Sequence, residues 1–130
     1  MTASDPVLTS FELAAESGRD ITADAYARFY SRCPEAREVM SHVDLHMQGR
    51  MLEEVLELLM TPGGDVEPGQ LAFEMSNHRS YGTSPDHYRP LLEAVRDTVS
   101  AELGEDWNAD FAEAWELRIN TLLGQIHAHV

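Results

Sequence analysis

A chain of 130 residues with 43% hydrophobic side chains suits one folded domain and leaves no room for a second catalytic module. Its 23 acidic against 9 basic side chains, a formal net charge of −14, set up a field that repels phosphate backbones and anionic lipid heads, which speaks against nucleic-acid and membrane partners. The longest apolar stretch, Val55 to Met60, is interrupted by Glu57 and falls far short of the ~20 residues that cross a bilayer; Met1 to Pro6 carries no basic-then-apolar signal, so a soluble, cytoplasmic protein is expected.

In chain order, Val7, Leu8, Phe11, Ala14 and Ala15 recur at helical spacing from Pro6 to about Ser17, where Gly18-Arg19-Asp20 breaks the pattern. A second helix starts near Thr22, a residue able to cap it, and carries Ala23, Tyr26, Phe29 and Tyr30 until Cys33-Pro34 stops it. Pro34 then opens a short turn of helix to Met40. From Asp44 to Met60 the residues Met47, Met51, Leu52, Val55, Leu58 and Leu59 form one apolar stripe, with Arg50, Glu53, Glu54 and Glu57 facing away. Thr61-Pro62-Gly63-Gly64 ends it. Gln70 to Ser80 reads as a further helix marked by Leu71, Phe73, Met75 and His78, closed by Gly82 to Pro85. Two longer helices come next, Asp86 to Leu103 and Ala109 to His127, separated by Gly104-Glu105-Asp106-Trp107. No alternating strand pattern competes, so the fold class is all-α.

The chain lacks a glycine-rich phosphate loop, a CxxC pair, an HExxH helix and a nucleophile elbow. Cys33 is the lone cysteine, which agrees with a reducing compartment and reads as a buried bystander. His42 and His46 have the four-residue spacing of paired metal ligands but straddle a helix start; His127 and His129 read as solvent-exposed ends of the last helix.

His78 is set apart by its neighbours in the chain. The run Asn77-His78-Arg79-Ser80-Tyr81-Gly82-Thr83-Ser84-Pro85-Asp86-His87-Tyr88 resembles the proximal region of single-domain bacterial globins and of the globin domain of flavohaemoglobins. The likeness extends forward through Leu91, Leu92, Val95, Leu103-Gly104 and Ala114-Trp115, and backward through Ile21-Thr22-Ala23, Tyr26, Pro34-Glu35 and Glu38, nearly the whole chain. It implies a three-over-three helical sandwich holding haem b, with the iron on His78. The helix from Asp44 would cross above the haem and the one ending near His78 below it. The lining would come from Phe29, Met40, Met47, Met51, Val55, Phe73, Met75, Leu91 and Leu92. Tyr26 matches the family's distal tyrosine, whose phenol donates to a bound gas, and Tyr88 a proximal tyrosine that orients the ligating histidine.

Three positions depart from the family pattern. Met40 stands where nearly every globin wedges a phenylalanine against the porphyrin. The common distal glutamine or histidine falls on Met47, or on Gln48 after a one-residue shift that would turn Glu53 inward; the cost of burying Glu53 favours Met47. The glutamate that completes the proximal network would fall at about Val130 and is absent. The expected function is reversible binding of dioxygen or nitric oxide, with nitric oxide dioxygenation when a separate reductase supplies electrons, since the chain encodes no flavin or nicotinamide domain. Two other readings stay open. One is an electron-transfer or sensing globin with Met47 or His46 as a sixth ligand; the other is a non-haem globin-like interaction module.

Overall fold

A computed structural model describes residues 5–18, 20–39, 45–60 and 87–128. They form α1 (Pro6–Glu16), α2 (Thr22–Arg32), α3 (Pro34–Val39), α4 (Leu45–Met60), α5 (Tyr88–Leu103) and α6 (Ala109–Ala128), with a 3₁₀ turn at Gly104–Asp106. No strand occurs among the described residues, and none of their helices is long and apolar enough to cross a membrane. The helix expected over Gln70 to Ser80 lies outside the described residues.

The helix ends have local causes. Asp5 caps α1, its Oδ1 accepting from the Val7 N–H at 3.1 Å, and Pro6 takes the first position, where its missing N–H costs nothing. Thr22 does not cap α2: Ile21 occupies the cap position, and the Thr22 N–H donates to Asp20 Oδ1 at 2.9 Å. The carboxylate two residues upstream meets the first orphan donor, leaving Thr22 as the first helical residue. Cys33, at φ −136°, leaves the helical region just before Pro34 restarts it. After α5 the chain turns at Gly104, whose φ of 56° favours glycine, and Asn108 Oδ1 accepts from the Phe111 N–H at 3.1 Å to start α6.

Packing is governed by the apolar faces. α2 lies along α5, α1 rests on both α5 and α6, and α4 leans on α1, α2 and α6. The α2–α5 seam is stitched at its rim: Arg28 donates to Thr98 Oγ1 at 3.1 Å and Arg32 pairs with Asp97. Burial acts to raise the Asp97 pKa, but the Arg96 and Arg32 guanidiniums outweigh it and hold the carboxyl below its ordinary value. At the α1–α6 contact Trp115 is fully buried; its ring meets Phe11 at 5.1 Å between centroids and its indole N–H donates to Ser10 Oγ at 2.8 Å.

Arg118 on α6 is buried and hydrogen-bonded through both terminal nitrogens. Its guanidinium donates to Asp5 Oδ2 at 2.8 Å and to the Leu59 carbonyl near the end of α4. Asp5 therefore serves both as the α1 cap and as the counter-charge of a buried arginine. Asp5→Ala should lower the unfolding free energy by about 2–3 kcal/mol, the loss of a cap added to that of a charge-assisted hydrogen bond, readable as a lower urea midpoint.

Candidate functional site

α2 buries one face made of Ala25, Tyr26 and Phe29, and Tyr26 is the residue on it with chemistry. Its ring stacks on Tyr30 at 5.7 Å, and its hydroxyl donates to the Gln48 carbonyl of α4 at 2.9 Å. Burial, with the neighbouring Tyr30 and Glu54 adding to it, pushes the phenol well above its ordinary value. Tyr26 is thus a neutral hydrogen-bond donor around neutral pH, held against the first turns of α4.

The register of α4 differs from the expected stripe at its start. Leu52, Val55, Leu58 and Leu59 are buried and Met51 is half-buried, but Met47 is 36% exposed while Gln48 is half-buried. Gln48 lies one turn before Leu52 on the same face, whereas Met47 precedes Met51 at the stripe's edge. Glu53 remains exposed all the same, because five residues advance a helix by about 140° around its axis from Gln48. Turning Gln48 inward therefore carries no buried glutamate with it, and the cost that favoured Met47 as the inward residue does not arise. Glu54, expected to face away, is half-buried.

Of the other residues assigned to a haem lining, Phe29, Val55 and Leu92 are buried, and Met51 and Leu91 are half-buried against the core. Tyr88, at the first position of α5, is buried too. His78, Met40, Phe73 and Met75 lie outside the described residues, as does Val130. A cleft of about 530 Å³ opens elsewhere, between α1 and α4, where Phe11 and Ala14 face Leu52 and Leu56 under Asp20 and Glu53. None of Phe29, Met51, Val55, Leu91 or Leu92 lines it.

Metal-type ligands come together where the spacing of histidines gave no hint. Cys33, Glu35 and His87 bring a sulfur, a carboxylate oxygen and an imidazole nitrogen within 4.8 Å of one another. Cys33 and His87 are buried and Glu35 is exposed; the Cys33 thiol points at Glu35 Oε1 at 3.8 Å. Burial raises the Cys33 pKa and the Glu35 carboxylate adds to it, against the Ala36 N–H that lowers it. Of the histidines weighed as metal ligands or helix ends, His46 is exposed; His42, His129 and the side chain of His127 lie outside the described residues.

No family model matches the chain, and no curated protein matches it in sequence.

Proposed function

We propose that this chain is a globin-like haem protein, built as a three-over-three helical sandwich, that takes dioxygen or nitric oxide and supports nitric oxide detoxification with electrons from a separate reductase. One observation carries the reading. The hydroxyl of Tyr26 lies 2.9 Å from the backbone of Gln48, a contact across 22 positions. The tyrosine that resembles a distal donor and the turn of α4 that holds both candidate distal residues, Met47 and Gln48, are therefore neighbours in space.

The described residues assigned to the lining are of the apolar kind the group needs. Met51 on α4 and Leu91 on α5 are apolar side chains that their own helices leave partly uncovered, as the edge of a porphyrin requires. Val55, Leu92 and Phe29 belong to the buried apolar cluster against which those two pack. His78 would hold the group, which supplies an iron with an open position for the gas. Tyr26 must then turn its O–H from the Gln48 carbonyl toward that position, and as a neutral phenol it arrives with its proton. His46 and Met47, the candidate sixth ligands, are both exposed, so the site is read as open on the distal side.

Absorption spectra of the haem-supplemented protein in ferric, ferrous and carbon monoxide states test this directly. A Soret band with a clean carbon monoxide shift is expected; a colourless protein would overturn the reading and leave a helical interaction module. Tyr26→Phe should leave haem uptake intact and speed oxygen dissociation several-fold to about tenfold, the equivalent of one hydrogen bond. An unchanged rate in stopped-flow would show that the phenol does not reach the gas.

A further inference from the structure

We propose that Cys33, Glu35 and His87 form a second, separate site that binds a divalent transition-metal ion, zinc above all, at the junction of α2, α3 and α5. It does not rest on the haem reading and involves none of the residues assigned to it.

The ligand atoms come from three places in the chain: Cys33 from the break between α2 and α3, Glu35 from the first turn of α3, and His87 from the residue that precedes α5. They already lie within 4.8 Å of one another. Ligand atoms around tetrahedral zinc sit roughly 3.3–3.8 Å apart, as its bond lengths of about 2.0–2.3 Å dictate. The Cys33–Glu35 edge, at 3.8 Å, already meets that spacing. The remaining closure falls to Glu35, the exposed member of the three and so the freest to rotate, while buried Cys33 and His87 hold the other two corners in place.

The donor set narrows the metal. A thiolate with an imidazole favours zinc and its neighbours over magnesium or calcium, which want oxygen throughout. Three protein ligands leave the fourth tetrahedral position to water, and the exposed carboxylate marks the side from which an ion enters. The net charge of −14 raises the local concentration of any cation around the chain. On binding, the Cys33 thiol releases its proton to solvent as the sulfur–metal bond forms, with no change of oxidation state. A bound ion would tie the α2–α3 corner to the start of α5.

Cobalt(II) titrated into the full chain without added haem is the probe. Expected are a thiolate-to-cobalt charge-transfer band in the near ultraviolet with tetrahedral d–d bands in the visible, both displaced by zinc. Cys33→Ser and His87→Ala should abolish the charge-transfer band. Because both residues are buried, Glu35→Gln provides an exposed variant that leaves the fold alone. It should weaken cobalt binding by at least the roughly tenfold that even the outer hydrogen-bond partners of a metal ligand are worth. No charge-transfer band in the wild type, a band that survives Cys33→Ser, or an affinity unchanged in Glu35→Gln would each overturn the site. Haem uptake by Cys33→Ser, read from its Soret band, keeps a failure here distinct from a failure of the haem reading.

Discussion

Trp115→Ala is expected to lose about 3–5 kcal/mol of unfolding free energy, the range for truncating a fully buried aromatic side chain. The indole is 0% exposed between α1 and α6, tilted against Phe11, with its N–H on Ser10 Oγ at 2.8 Å. Ser10 in turn donates to the Val7 carbonyl at 2.6 Å, so its hydroxyl both gives and accepts a hydrogen bond inside the core. Removing the ring opens a cavity and strips Ser10 of its donor in the same step. Domains of this size are stable by about 5–15 kcal/mol in all, so the variant should stand near the edge of folding at 25 °C. Urea unfolding followed by circular dichroism measures it. Trp115→Phe keeps most of the hydrocarbon and should lose about 1–3 kcal/mol, chiefly the unmet Ser10 hydroxyl. If alanine cost no more than phenylalanine, the ring would not be the packing centre of this contact.

His78→Ala should remove the Soret band of the haem-supplemented protein, or leave haem that washes out on a desalting column. The iron–imidazole bond is the directed interaction by which the chain would hold the haem; apolar contacts alone hold a porphyrin without fixing its iron. The helical circular dichroism should survive, because the described helices bury an extensive apolar core among themselves, from Val7 of α1 to Leu123 of α6. Imidazole added to the variant should restore a Soret band by supplying the missing ligand to the vacated position. An unchanged spectrum in His78→Ala would sink the haem assignment to this residue, and His46→Ala, on the exposed side of α4, serves as the control that should bind haem normally.

Much of the helical framework was legible in the sequence, because apolar periodicity and breakers are local signals. Pro6, Pro34 and Gly104 mark element ends as their backbone chemistry requires, and the stripe Leu52, Val55, Leu59 faces inward as its spacing predicts. Local reasoning failed where two acceptors competed within three residues: Asp20, not Thr22, meets the free N–H at the start of α2. It failed again at the ends of stripes, where Met47 and Gln48 differ by one position and only the packing of α4 on its neighbours decides which turns in. Arg118 carries no local sign of its role, since an arginine in a helix is ordinarily a surface residue, and its acceptors Asp5 and Leu59 are remote in sequence. The Cys33–Glu35–His87 cluster was invisible for the same reason. Its single local sign is a cysteine and a glutamate flanking Pro34, and the histidine arrives from the residue before α5, remote in the chain. The distal side of the candidate haem site was partly legible through Tyr26, whose burial the pattern of α2 already implies; the proximal side depends on His78, outside the described residues.

The arginine that joins Asp5 to Leu59 also has a meaning for how the protein opens. Its guanidinium ties the residue before α1 and the last turn of α4 to α6, so neither helix end frays without breaking a hydrogen bond to Arg118. Three segments remote in the chain thus share one local unfolding event, in which the start of α1 and the end of α4 open together with α6 rather than one by one.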